Sequence, residues 1–183
     1  RGKGLLAAGL RDGVGLGLAL SLTLFLVGLA KRLAGRPRPN FYALVAYASG
    51  SAADRTHLAT VAYESFPSGH AATTLAAMVF LALCVFRDTR DLFLNNINAS
   101  TRPLLLFFWL LIASPVVLAF WVGLTRLSDY WHSFDDVAAG WLIGVAGAAF
   151  GYSYLACTSP SRSHQSDGGA YVLLRRRLAG DGL

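Results

Sequence analysis

Residues 103–124 read PLLLFFWLLIASPVVLAFWVGL, without one charged side chain. A bilayer core about 30 Å thick needs about 20 apolar residues in a helix, so this stretch alone predicts a membrane span. Three more uncharged apolar blocks accompany it: GVGLGLALSLTLFLVGLA at 13–30, AATTLAAMVFLALCVF at 71–86 and VAAGWLIGVAGAAFGYSYLAC at 137–157. The block at 71–86 is short by itself and reaches spanning length if its helix begins at Ser68. Lipid offers the backbone no water, so only helices and closed barrels cross it. These runs are continuous and lack the two-residue alternation of barrel strands. The predicted fold is therefore all-α, a polytopic transmembrane helix bundle with spans at about 13–30, 68–86, 103–124 and 137–157. Gly140, Gly144, Gly147 and Gly151 would let the last helix approach a neighbour closely.

Composition agrees. Of 183 residues, 55% are hydrophobic and 14% charged, against about 25% charged in a typical soluble domain. The length suits one membrane-embedded unit over 1–157, followed by a tail at 158–183 rich in Ser, Gly and Arg that reads as a disordered cytoplasmic end. The net charge of +6 is not gathered into a basic run with interleaved aromatics, so nucleic acid is not the expected partner. Cys84 and Cys157 lie in apolar blocks, where free cysteine acts as a small hydrophobe. The chain opens on Arg1 with no signal-peptide layout, which reads as part of a longer protein.

Four spans put both ends of the chain on one side. That side carries Arg1, Lys3, Arg11, Arg87, Arg90, Arg102, Arg162 and Arg175 to Arg177, and the positive-inside rule makes it cytoplasmic. Asn98-Ala99-Ser100 is a glycosylation sequon that this orientation leaves facing the cytoplasm, unmodified. The opposite side is also basic, with Lys31, Arg32, Arg36, Arg38, Arg55 and Arg126, and these residues need another explanation.

Three polar segments meet on that opposite side: KRLAGRPRP, PSGH and TRLSDYWHSFDD. Each has an ordinary reading alone. Cations snorkel at span ends, Ser and Pro start helices, and Asp135 or Asp136 suits a helix N-terminus. Together they form a set. Lys31, Arg38 and Arg126 supply cations, and the Ser68 and Gly69 amides stand at a helix N-terminus, a ready anion site. His70 and His132 come from separate spans. His132 and Asp136 are four residues apart, so on a helical turn they share a face. A carboxylate there would keep one imidazole nitrogen protonated and leave the other free as a nucleophile. These are the parts for phosphoryl transfer.

The three segments resemble the signature of the type 2 phosphatidic acid phosphatase superfamily: K-x6-R-P, then P-S-G-H, then S-R-x5-H-x3-D. Lys31 through Arg38-Pro39, Pro67-Ser68-Gly69-His70, and Arg126, His132 and Asp136 fill it without gaps over about residues 13–157. Thr125 replaces the usual Ser and keeps its hydroxyl, and Ser133 stands where relatives often carry a second His. Val45 stands near where many relatives have a Cys, which implies no luminal disulfide here. GRPRPNF, SFPSGH and SDYWHSFDDVAAG are most similar to eukaryotic lipid phosphate phosphatases. The family core usually has six spans, so the resemblance implies that two more helices would precede Arg1.

The resemblance implies an integral membrane, metal-independent phosphatase that needs no cofactor. It would hydrolyse phosphatidic acid, lysophosphatidic acid, diacylglycerol pyrophosphate or sphingoid-base phosphates at the extracytoplasmic or luminal face of the plasma membrane or an endomembrane. His132 would be the nucleophile that becomes phosphohistidine, Asp136 its orienter, and His70 the acid and later the base. Lys31, Arg38, Ser68, Gly69 and Arg126 would bind phosphate. Asp129 and Asp135 are assigned to helix-end or structural roles, and His57 and Glu64 to a solvated loop over 40–66 that would sit over the site. The partner is phospholipid within the membrane, and a homo-oligomer is compatible with the pattern. Alternatives are a polyprenyl-pyrophosphate or sugar-phosphate phosphatase of the same superfamily, or a non-catalytic membrane relative. The soluble vanadium haloperoxidases share the motifs but not four apolar spans.

Overall fold

The computed structural model describes residues 2–47, 52–95 and 102–158, and among them every regular element is helical. In chain order these are α1 (Gly2–Ala34), α2 (Phe41–Tyr47), α3 (Ala52–Ala62), α4 (Gly69–Asn95), α5 (Arg102–Ser128) and α6 (Phe134–Thr158). Among the described residues, four stretches are long and apolar enough to cross a bilayer: Leu6–Ala34, Gly69–Arg90, Phe107–Ser128 and Phe134–Thr158. The all-α polytopic bundle expected from the apolar blocks is what the chain forms.

The bundle is held by small residues rather than large ones. Lipid tails are as apolar as leucine, so helices in a membrane gain mainly from close van der Waals packing. The glycine stripe of α6 supplies it on two sides. A Cβ built on Gly140 would stand 2.6 Å from the Ser68 carbonyl oxygen, and one on Gly144 would stand 2.5 Å from that of Ala72, so these two press against α4. Gly147 meets Thr23 and Ala19, and Gly151 meets Gly15 and Ala19, so the lower half presses against α1. Ala19, Phe80, Cys84, Ala148 and Leu155 form the buried core where α1, α4 and α6 converge. α5 packs mainly on α4 and touches α6 where Gly123 admits the Trp141 indole. Pro115 lies inside α5 and has no N–H for the Leu111 carbonyl; the Ser114 hydroxyl donates to that oxygen at 3.1 Å instead. Large apolar side chains such as Phe25, Trp109, Trp121 and Leu142 point outward, as lipid permits.

Span limits differ from the expected ones, for a physical reason. The first was expected over 13–30, yet α1 continues through Asp12 and Arg11. Asp12 accepts two hydrogen bonds of 2.9 Å from the Arg87 guanidinium on α4, and Arg11 donates to the Thr158 carbonyl of α6 at 3.3 Å. Paired in this way, charges are tolerated at a membrane border. α4 likewise runs beyond Phe86 to Asn95. The loop reading of 40–66 is corrected by α2 and α3. The tail 159–183 and the Asn98 sequon lie outside the described residues.

Candidate active site

Three connections converge at one end of the bundle: 35–40 after α1, 63–68 before α4, and 129–133 between α5 and α6. They surround a cavity of about 290 Å³. Six of the eight predicted residues line it: Lys31, Arg38, Gly69, His70, Arg126 and His132. Leu24, Thr73 and Trp131 complete the wall.

His132 is 4% exposed. Its Nδ1 lies 2.8 Å from the Ser65 carbonyl oxygen. A carbonyl only accepts, so Nδ1 carries the proton and Nε2 keeps its lone pair. The Arg38 guanidinium faces that lone pair, with Nη1 3.4 Å from Nε2. Burial, helped by the Arg38 cation, pushes the imidazole pKa down to about 4, against the opposing pull of the Ser65 bond and the Asp136 charge. His132 is therefore a neutral imidazole at physiological pH.

Arg38 is set by the end of α3. Its Nε donates to the Val61 carbonyl at 2.8 Å, and its amide to that of Ala62, also at 2.8 Å. These are the last carbonyls of a helix, which lack partners within it. Nη1 donates to the Trp131 carbonyl at 3.2 Å, and the guanidinium stacks 5.0 Å from the centre of the Trp131 ring. Arg126 is braced by the Thr125 hydroxyl, at 3.3 Å from Nε and 3.2 Å from Nη2, and by Asp129 at 3.1 Å. Its own carbonyl accepts from the amides of Trp131 and His132, closing a turn in which Tyr130 takes φ 56°. Lys31 pairs with Glu64 at 3.8 Å. The solvated-loop reading of Glu64 thus gives way to an ion pair at the cavity, whereas His57 is exposed on α3. Asp129, given a helix-end or structural role, pairs with the cavity cation Arg126 just past the end of α5.

Ser68 and Asp136 do not line the cavity. Ser68 is fully buried and caps α4: its hydroxyl accepts from the Ala71 amide at 3.4 Å and its carbonyl from the Ala72 amide at 3.1 Å. Its own amide donates to the Asp136 carbonyl at 2.8 Å, so the expected Ser68 N–H is already engaged, and Gly69 and His70 are the residues of that turn at the cavity. Asp136, also fully buried, sits in the first turn of α6. His132 stands outside that helix, and the expected shared face does not form: Asp136 Oδ2 is 3.8 Å from His132 Nδ1, too far for a hydrogen bond. The carboxylate accepts instead from Ser65 Oγ at 2.6 Å, the Ser133 amide at 2.8 Å and Arg36 Nη1 at 3.2 Å.

Sequence reasoning missed Arg36, Ser65 and Trp131, and undervalued Glu64. Arg36 and Ser65 stand inside the quoted GRPRPNF and SFPSGH strings but outside the named motif positions. Nothing in their spacing indicates that they meet.

Comparison with known proteins identifies the family. The sequence model described as the PAP2 superfamily matches residues 12–157. Lipid phosphate phosphatase 1 of Arabidopsis thaliana is 32% identical over 177 residues, covering 88% of this chain and 49% of that protein. Probable diacylglycerol pyrophosphate phosphatase 1 of Schizosaccharomyces pombe is 31% identical over 155 residues, covering 77% and 51%. Phospholipid phosphatase 2 of Homo sapiens is 35% identical over 151 residues, covering 71% and 46%. The chain spans about half the length of the curated relatives it matches. No solved structure matches. With all three motifs gathered around one cavity and the family match running from Asp12 to Cys157, this chain belongs to the PAP2 superfamily.

Proposed function

We propose that this chain carries the active site of an integral membrane lipid phosphate phosphatase that works through a phosphohistidine on His132. The observation that carries the reading is the unprotonated Nε2 of His132, whose lone pair faces Arg38 Nη1 at 3.4 Å in a cavity that also presents Lys31, Arg126 and His70. Nε2 attacks phosphorus as the P–O bond to the lipid breaks. His70 gives its proton to the leaving alkoxide, then takes one from the water that cleaves the N–P bond and releases phosphate. Lys31, Arg38, Arg126 and the Gly69 amide hold the phosphate oxygens, so cationic side chains supply the charge neutralisation without a metal. Ser68 contributes by capping the helix that presents Gly69 and His70.

The substrates that fit are phosphatidic acid, lysophosphatidic acid, diacylglycerol pyrophosphate and sphingoid-base phosphates. Leu24 lies two helical turns below Lys31 on α1, so the cavity reaches about 10 Å along that helix. That depth suits a headgroup whose lipid tails stay in the bilayer. The test compares wild type with His132→Ala in the full-length protein, on phosphatidic acid at matched expression. Hydrolysis should vanish in the variant and vanadate should inhibit the wild type. Full activity in His132→Ala would sink the assignment, and a panel of lipid, polyprenyl and sugar phosphates distinguishes the substrate classes.

A further inference from the structure

We propose that Ser65 is the positioning residue of the nucleophile, and that Asp136 and Arg36 act on His132 through it. The inference rests on the phosphohistidine reading for its catalytic consequence but not for its geometry. Ser65 is 1% exposed and makes three bonds to three separate segments. Its amide donates to the Arg36 carbonyl at 3.0 Å, in the connection after α1. Its hydroxyl donates to Asp136 Oδ2 at 2.6 Å, in the first turn of α6. Its carbonyl accepts from His132 Nδ1 at 2.8 Å.

The carboxylate therefore does not touch the ring, from which it is separated by 3.8 Å. It fixes the hydroxyl of the residue whose carbonyl fixes the ring. Asp136 is itself locked by the Ser133 amide and by Arg36, whose guanidinium forks to Asp136 Oδ1 at 3.2 Å and Asp135 Oδ2 at 3.4 Å. A neutral imidazole with Nδ1–H held has only Nε2 to offer, and a nucleophile in the other tautomer cannot attack. Removing the Ser65 hydroxyl leaves the carbonyl in place but unlatches the segment that aims it, and leaves a buried carboxylate short of one donor.

The test uses full-length protein in lipid nanodiscs with 15N-labelled histidine, the His132 signals being assigned against His132→Ala. Wild-type His132 should show a protonated Nδ1 and a bare Nε2. Ser65→Ala should mix the tautomers and lower kcat about 10- to 100-fold, the cost seen when a partner that orients a metal-bound imidazole is lost and taken over here for a nucleophilic one, with KM within about two-fold. Ser65→Thr, which keeps the hydroxyl, should recover most of the rate and the wild-type spectrum. A wild-type spectrum with protonated Nε2 overturns the proposal whether or not any variant folds. So does Ser65→Ala with unchanged kcat and tautomer. If His132→Ala stays fully active, the phosphatase reading fails, while the wild-type spectrum still decides the positioning claim.

Discussion

At the scale of single residues, the site is governed by how His132 is kept neutral. A buried imidazole beside a guanidinium disfavours its own cation, which is why its pKa stands near 4 and not near the usual 6.5. Between those two values the unfolded chain binds a proton that the folded one refuses. The stability tied to His132 is therefore complete above about pH 6.5 and declines as pH falls toward 4. An NMR titration of the ring should give a midpoint near pH 4, and Arg38→Gln should move it upward by removing a cation. A wild-type midpoint at 6.5 would refute the burial argument. The Lys31–Glu64 pair poses a different question, because on the proposed reading Glu64 would compete with a substrate phosphate for the same ammonium. Partly exposed pairs of this kind are worth about 0.2–1 kcal/mol, so Glu64→Gln should lower KM for phosphatidic acid by up to about five-fold without changing kcat. A raised KM would instead make Glu64 a support for Lys31. The motif residues were legible from spacing, and six of them do share a cavity. The link between them was not. His132 and Asp136 look adjacent in sequence, but α6 starts between them at Phe134 and Asp136 folds back onto the Ser133 amide. The partner that His132 finds is Ser65, from another part of the chain.

At the scale of elements, long apolar runs announce helices because lipid leaves them no alternative. Their ends are less legible, since an end is decided by what a charge can reach: Asp12 stays helical because Arg87 arrives from α4. Helices α2 and α3 carry no strong apolar period and were read as loop, yet the C-terminal carbonyls of α3 hold Arg38. The glycine stripe of α6 couples packing to the site. Gly140 lies against the Ser68 carbonyl, beside the cap of the helix that bears His70. A methyl group there has to push backbone apart, at a cost of about 1–3 kcal/mol. Gly140→Ala should lower the melting temperature in detergent and reduce hydrolysis at least ten-fold. Gly17 has nothing within 4 Å of its position. Gly17→Ala should leave activity intact and hold or raise the melting temperature, since alanine is the better helix former by up to about 1 kcal/mol. Equal damage from both substitutions would mean that close α4–α6 approach is not what Gly140 provides.

For the whole molecule, charge appears at both ends of the bundle for different reasons. At the end away from the cavity, Arg87 is bound by Asp12 and Asp88, and Arg11 reaches Thr158, so these cations fasten α1, α4 and α6 together at a membrane border. At the cavity end, Lys31, Arg38 and Arg126 have anionic or carbonyl partners yet still line an open space, the arrangement expected where an anionic ligand is to be taken up. Counting both sets alike blurs the positive-inside rule. Discounting the cavity cations sharpens it, and on that count we propose that the cavity faces the extracytoplasmic side. Tyr42, on α2, is 86% exposed at the cavity end, and Asp88, on α4, is exposed at the other. In intact cells or sealed microsomes of known sidedness, with the native cysteines removed, Tyr42→Cys should react with a membrane-impermeant maleimide from the extracytoplasmic side. Asp88→Cys should react only once the cytoplasmic side is opened, and Arg87 should keep its Asp12 partner in that variant. The reverse labelling pattern would place the cavity in the cytoplasm, where the cavity cations would have to be counted with the topogenic ones and the substrate would have to come from the inner leaflet.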